Sequence, residues 1–545
     1  MTFESSSDKF LQPPSGEEYQ PEFRAPSAYT PLHTFQLPKA DSRKYQQQYG
    51  DLYFLRLAKL KPAAEKVGRE AWDGFTIAGE KARKVDRVLD VRQGALCWVT
   101  GTVYMDLPLK PNILDDVAKD NYAAAPPPRT TYIDPLNPDK TQVMLEDESG
   151  RLRMTGTMLR TTHLVTGVII AVLGTENSNG DFEVIDIKVP DFPVQPPRWE
   201  LASTDKTEST IKRVENTTGK SSKIAFISGL GITGSSSDTL ALELLTDYLL
   251  GYTGPGGEDE SPARISRLII AGNSLGNLET ATAAAAMNGD GTAKKKVPKK
   301  YGYDASSYNA SPITQLDNFL SELLPSLPVT LMPGENDPAN FSLPQQGIHR
   351  AMLPRAKAYS SDGLPGDTSV EPGWFDNVTN PWEGYVDGWR FWGCSGQNVD
   401  DVLRYLDFAD EDGNATNSDG DGETSVQIME AMLRWRCAVP TAPDTLWCYP
   451  FQTHDPFILQ ACPHLFFIGN QSHFKTVVVV SEPAFRLDGP DTEMSNSADE
   501  PLATHVRLVS IPKFHETGEL ILVDSETLEV DVVKFQIFSG KEESK

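Results

Sequence analysis

Four short polar turns follow apolar runs in this chain: FISGLG (226–231), IIAGNSLGN (269–277), LMPGENDPAN (331–340) and FIGNQS (467–472). Side chains at the ends of neighbouring strands meet along one edge of a sheet. Oxygen and nitrogen ligands placed there can hold two cations about 3.5–4 Å apart and hydrolyse a phosphate ester. That chemistry needs Asp and His. The residues present are Ser228, Leu230, Asn273, Asn277, Glu335, Asn336, Asn470 and Ser472, with Asp337 beside them. Leucine cannot ligate a metal, and neutral Asn and Ser are weak replacements for carboxylate and imidazole. Without a bridging carboxylate, two dications repel each other with little to offset it. The turns that would shape such a site are therefore present, its ligands are missing, and no metal is expected here. His473 and His454 lie near enough in sequence to serve a single metal if the register shifts.

The elements around these turns read as two units. From residue 223, an apolar strand, a helix (TLALELLTDYLLGY) and a second apolar strand alternate, with polar residues where each strand ends. This is the pattern of an α/β layered sheet, and it places the candidate domain at 223–545. The C-terminal stretch alternates around the turn HETGE and is expected to return strands to the same sheet. Upstream, residues 43–70 carry Tyr53, Leu55, Leu57 and Leu60 at helical spacing, and one or two helices broken near Pro62 are expected. From about residue 91, period-2 runs are split by turns at Glu148–Gly150 and Asn177–Gly180. About five strands within roughly 100 residues suit an OB-fold barrel, giving a helical lead-in and barrel over 41–200, with a polar linker at 201–222. Residues 1–40 are polar and Pro-rich and read as a flexible tail. Two segments interrupt the second domain: 280–312, with a basic cluster at Lys294–Lys296, Lys299 and Lys300, and the acidic 407–425. Both read as disordered insertions. The basic cluster fits either a nuclear localisation signal or a solvated loop.

The chain has 545 residues and a net charge of −26 from 76 acidic and 50 basic residues. Affinity for DNA comes mainly from Lys and Arg neutralising phosphates, so strong DNA binding by this chain alone is disfavoured. The strands of the expected barrel are themselves acidic (VMLEDESG, NGDFEVIDIKV), which favours protein docking over single-stranded DNA binding. Five scattered cysteines without a C-x-x-C pair argue against a thiolate zinc site or a disulfide framework. No apolar run is long enough to span a bilayer, and the N-terminus lacks the order of a secretory signal. Trp382, Tyr385, Trp389 and Trp392, in NPWEGYVDGWRFWG, are either core residues or protein-binding anchors.

The order of the strand-end turns resembles the calcineurin-like phosphoesterases. In that pattern Ser228 and Leu230 stand at the first Asp and His, Asn273 at the bridging Asp, and Asn277 near the second acidic position. Glu335 and Asn336 stand at the Asn and His, and Asn470 and Ser472 at the last two His; Asp337 alone keeps its chemistry. PGENDPANFSLPQQ, NPWEGYVDGWRFWGCSGQNVDD, PTAPDTLWCYPF and DPFILQACPHLFFIGNQ together resemble the B-subunit family of replicative DNA polymerases, and within it the delta branch. The resemblance implies an OB-fold barrel packed on an inactive calcineurin-like phosphoesterase domain, a β-sandwich with flanking helices. It implies a nuclear, non-catalytic scaffold in DNA replication and repair, touching DNA only through its complex. The implied partners are the cysteine-rich C-terminal domain of the catalytic subunit of DNA polymerase delta, the third delta subunit and the translesion polymerase zeta. No cofactor is implied in this chain; an iron–sulfur or zinc site belongs to the partner's C-terminal domain. The alternatives are an active metal-dependent phosphoesterase or 3′-exonuclease, and the B subunit of polymerase alpha or epsilon.

Overall fold

The computed structural model describes residues 24, 26–38, 43, 50–111, 131–134, 136–137, 140–198, 221–234, 239–252, 262–276, 310–361, 372–406, 422–481 and 503–535. The chain begins with a short strand β1 (Tyr29–Leu32) and then the long helix α1 (Gly50–Trp72). Pro62 lies inside α1 and does not end it. A proline within a helix costs about 3 kcal/mol, but apolar residues on both sides of it, Leu57 and Leu60 before and Ala64 and Trp72 after, are buried in one core. Packing on both sides thus keeps a single helix where the sequence suggested a break.

A small hairpin, β2 (Thr76–Ile77) and β3 (Glu80–Lys81), leads to β4 (Arg83–Lys84) and the ten-residue β5 (Cys97–Asp106). Then come β6 (Gln142–Glu146), β7 (Arg151–Thr155), the short α2 (Met158–Thr161), β8 (Ile169–Glu176) and β9 (Phe182–Lys188). The hydrogen-bonded order β5–β6–β7–β9–β8 closes on itself, because the first half of β5 pairs with β8 and the second half with β6. Gly101 sits at this handover, where a Cβ would lie 2.6 Å from the Glu146 carbonyl oxygen. The two turns read from the sequence join β6 to β7 and β8 to β9. The result is the expected five-stranded closed barrel, with α1 packed on β5 and β8.

The second unit runs β10 (Lys223–Ile227), α3 (Thr239–Leu250), β11 (Ile265–Ala271), α4 (Ser311–Leu323), β12 (Val329–Met332), β13 (Phe375–Asn377), β14 (Trp382–Val386) and β15 (Trp389–Cys394). It continues with α5 (Gln397–Leu403), α6 (Glu423–Arg434), β16 (Leu465–Gln471), β17 (Lys475–Ser481), β18 (Thr504–Pro512), α7 (Phe514–Thr517), β19 (Glu519–Asp524) and β20 (Val530–Lys534). Two six-stranded sheets form, β13–β12–β11–β10–β19–β20 and β1–β14–β15–β16–β18–β17. Phe226, Ile269 and Ile521 of the first meet Trp382, Phe391 and Phe467 of the second in a shared core. Helices α3 and α4 cover the outer face of the first sheet. Helices α5 and α6 cover the second sheet and share one core with the barrel. Central strands buried on both faces carry apolar runs, as LIIA (268–271) of the fully buried β11 does, after Ser266 and Arg267 near its start.

Several expectations change. The flexible tail does not extend over 1–40: Tyr29–Leu32 pairs with Glu383–Val386 at a sheet edge, and Arg24 donates to the carbonyls of Pro262, Ile265 and Leu249. A strand of YTPL type gains the backbone bonds that a tail would leave to water. The C-terminal strands serve both sheets, β18 joining one and β19 and β20 the other. Of the expected insertions, Ser311 and Pro312 already begin α4 and Glu423 begins α6. Residues 277–309, with the basic cluster, and 407–421 lie outside the described residues, as do 201–220 of the linker. Trp382, Tyr385 and Trp392 are core residues and not exposed anchors. Trp389 is half-buried: its indole donates to the Ser525 carbonyl at 2.7 Å and its ring lies under the Arg198 guanidinium. Aromatic area so large is more stabilising inside a sandwich than on its surface.

The barrel is joined to the sandwich by a buried ion pair. Arg56 of α1 donates through Nε to Asp455 Oδ2 at 2.8 Å, both side chains being 0% exposed. Its other nitrogens reach the carbonyls of Pro440 at 2.6 Å and Val439 at 3.5 Å. Tyr132 donates to Asp401 Oδ1 at 2.7 Å, and Lys110 pairs with Asp444. The segment PTAPDTL (440–446) is thus the seat on which the barrel rests.

Candidate functional site

The ends of β10, β11, β12, β15 and β16 converge on one edge of the sandwich, and the four polar turns meet there. Ser228 is fully buried; its Oγ accepts from the Asn470 N–H at 2.8 Å and lies 3.0 Å from the Pro512 carbonyl oxygen. Asn470 spends its side-chain amide on the carbonyls of Ala271, at 3.2 Å, and Ser395, at 2.6 Å. Asn273 accepts from the Asn336 N–H at 3.0 Å. Asn273 and Asn470 have φ of 51° and 59°, a region where Asn is among the few side chains tolerated. Their identity has a conformational reason as well as a chemical one.

Leu230 is 3% exposed and packs in the core under α3 and α4, so the first turn sends an apolar side chain inward where a ligand would project. Asp337 is buried, and its carboxylate accepts from the N–H groups of Gly334 at 2.8 Å, Leu275 at 2.9 Å and Ser274 at 3.2 Å. Burial raises its pKa, and these backbone donors oppose the rise. The carboxylate is therefore a brace that ties the turns after β11 and β12 together. Glu335, Asn336 and Ser472 are exposed. Asn277 lies outside the described residues. His473 and His454 are exposed as well, the first packed beside Gly422 and the second beside Phe451. The structure thus brings Ser228, Asn273, Asn336, Asp337 and Asn470 together and leaves the two histidines outside the cluster. Among the described residues, no group of three or more His, Cys, Asp or Glu side chains is placed to hold a metal ion.

The floor contains residues that the four turns did not reveal. Asn380 is fully buried; it donates to Gln345 Oε1 at 2.8 Å, Ser395 Oγ at 2.9 Å and Gln397 Oε1 at 3.0 Å, and accepts from the Ser395 N–H. Gln471 donates to the Gly469 carbonyl and accepts from Ser425. Asp400, beside Gln471, has its carboxyl pushed up to about 6, first by burial; Gln471, Arg404 and Lys513 oppose this, and Glu335 adds to it. The signal for Asn380 and Ser395 was the same strand-end polarity, in VTNPWEG and WGCSGQN. The arrangement is a web of amides and hydroxyls bonded mainly to one another and to backbone groups, with Asn470 Oδ1 and Ser274 Oγ buried without a partner among the described residues. It holds strand ends in place and offers a cation no set of anionic donors.

Two family models match the chain: "DNA polymerase delta subunit OB-fold domain" over residues 48–187 and, over residues 224–476, the model of the DNA polymerase alpha/epsilon B subunit. The DNA polymerase delta small subunit of Saccharomyces cerevisiae is 32% identical over 510 residues, 91% of each chain. This chain belongs to the DNA polymerase delta small-subunit family. The small subunit of Oryza sativa is 32% identical over 493 residues, 90% of this chain and 94% of its own. DNA polymerase delta subunit 2 of Drosophila melanogaster is 32% identical over 495 residues, with the same coverage. The barrel is accordingly an OB-fold, and the matched range 48–187 takes in α1 and the five barrel strands, short of the last residue of β9.

Proposed function

We propose that this protein is the non-catalytic accessory subunit of a DNA polymerase delta, acting in DNA replication in the company of the catalytic subunit and the other delta subunits. End-to-end similarity to delta small subunits carries this reading. A match of the barrel to the delta OB-fold model favours delta over the alpha and epsilon B subunits.

The sandwich is best read as a calcineurin-like phosphoesterase fold whose chemistry has been replaced by structure. Support comes from Leu230, which is buried in the core, and from Asn273 and Asn470, which are bound to backbone groups. On this reading the former active edge is a rigid corner of a scaffold. The scaffold holds the cysteine-rich C-terminal domain of the catalytic subunit, where any iron–sulfur or zinc site resides, and bridges it to the third subunit. Service to polymerase zeta, repair synthesis and a nuclear location follow from the same assignment. The net charge of −26 leaves contacts with DNA to other chains.

Co-expression with the catalytic subunit's C-terminal domain tests the assignment. A complex that survives gel filtration at equal stoichiometry is expected, and failure to co-purify would overturn it. Elemental mass spectrometry of the chain purified without chelators tests the loss of chemistry. Less than about a tenth of a transition-metal ion per chain is expected; two ions per chain would mean that a two-metal centre survives.

A further inference from the structure

We propose that the open end of the sandwich, between β17 and β20, is a docking cleft for an extended, apolar segment of a partner protein that carries an acidic residue. β17 and β20 are the last strands of their sheets, on the same side of the sandwich. In the β17–β18 ladder, Thr476, Val478 and Val480 stand opposite Val509, Arg507 and His505. Val509 belongs to the core between the sheets, so Val478 and Val480 point toward the interior side. In the β19–β20 ladder, Val530 and Val532 stand opposite Val523 and Ile521, which belong to the same core. Four valines from two edge strands therefore line the gap where the sheets part. Val478 is 42% exposed, Val480 52% and Val532 39%; of the residues opposite them, Arg507 is half-buried, His505 exposed and Ile521 buried. Among the described residues, no further strand covers this end of the sandwich.

Two features specify what would complete it. Among the described residues, the outer edge of β17 has no paired strand, and its seven-residue run KTVVVVS is a ready template for one. A strand added there would present every second side chain to Val478, Val480 and Val532, so those side chains must be apolar. Arg507, on the same face between the two sheets, has a guanidinium Nε that is buried without an acceptor; Glu529, at the foot of β20, is the charge that acts on it. An unsatisfied buried donor calls for an anionic or carbonyl oxygen on the incoming segment. This combination sets the occupant's chemistry: extended, apolar at alternate positions, with one acidic side chain reaching past Val478 toward Arg507 on β18. The cleft lies apart from the amide web, and the proposal does not depend on how that web is read.

The test uses the full-length chain and a fluorescein-labelled synthetic peptide of about ten residues, enough to span the strand. It carries valine at alternate positions and one glutamate, and a twin carries glutamine instead. Anisotropy is expected to show binding, with the glutamate peptide preferred. Hydrogen exchange of the unsubstituted chain is expected to show new protection at residues 476–480. Val478→Lys with Val480→Lys should weaken binding at least about tenfold, and Arg507→Met should erase the preference for glutamate. Absence of peptide-induced protection at β17 in the unsubstituted chain would overturn the proposal without recourse to any variant. Concentration-dependent dimerisation removed by the two lysines would also overturn it, because the edge would then belong to a second copy of this chain.

Discussion

Arg56→Ala is expected to be among the most damaging single substitutions in this chain. Arg56 and Asp455 are both 0% exposed and share a 2.8 Å bond between α1 and the segment after PTAPDTL. Burial works against the Arg56 charge, but Asp455, with Cys437 and Tyr53 acting in the same direction, holds the guanidinium pKa above its ordinary value. Truncation leaves the Asp455 carboxylate with the Phe457 N–H at 2.9 Å as its remaining donor and strips the Pro440 and Val439 carbonyls of theirs. Removing one partner of a buried pair costs about 3–5 kcal/mol, because the other charge stays buried and uncompensated. Urea unfolding of the full-length chain, followed by the fluorescence of Trp72 and Trp98 in the barrel core, measures this loss. The companion variant Arg56→Met with Asp455→Leu removes both charges and fills the volume. It should recover most of the loss, since apolar replacement of a buried pair is often neutral or better. If Arg56→Ala stays within about 1 kcal/mol of the parent, or the double variant is no more stable than the single, the pair does not join the domains as argued.

Three further outcomes are expected. Gly167 has φ +94°, and a Cβ there would lie 2.1 Å from the Pro440 carbonyl oxygen. Gly167→Ala should therefore push barrel and sandwich apart at the same seat and cost at least about 2 kcal/mol in urea. Asp387 has its carboxyl pushed up to about 6, first by burial, with one oxygen buried and unpartnered. A raised acid favours the fold while it is protonated, below the unfolded value of 3.8, and loses that contribution as pH rises through about 6. Asp387→Asn should thus stabilise the chain fully above pH about 6, with the gain fading between 6 and 4 in a series of melting curves. Asn470→Asp removes an amide donor from two carbonyls and sets a carboxylate against them, costing about 2–4 kcal/mol. Manganese that restored the melting temperature of that variant would show that the floor still accepts a cation.

The barrel was legible because its turns are local. Glu148–Gly150 and Asn177–Gly180 each join two strands that pair with one another, and the alternation on either side survives in the fold. The N-terminal strand was not legible. YTPL is four residues long and its partner strand begins about 350 positions later, a separation that leaves no trace in local pattern. The tryptophans of NPWEGYVDGWRFWG posed the opposite difficulty: an aromatic strand has the same composition whether it faces a second sheet or a partner, and only the opposing Phe226 and Phe467 decide the matter.

By itself, the sequence determined what the strand-end turns lack. Ser228, Leu230, Asn273 and Asn470 are an apolar and three neutral side chains where a two-metal centre calls for carboxylates and imidazoles, and donor chemistry is read residue by residue. Tertiary structure alone decided what those residues do instead. Gln345, Asn380 and the pair Ser395 and Gln397 come from three segments, and their mutual hydrogen bonds exist only where the strand ends converge. The valines of β17 and β20 likewise share a side of the sandwich only because each strand is the last of its sheet, with its inward face set by pairing to β18 and β19.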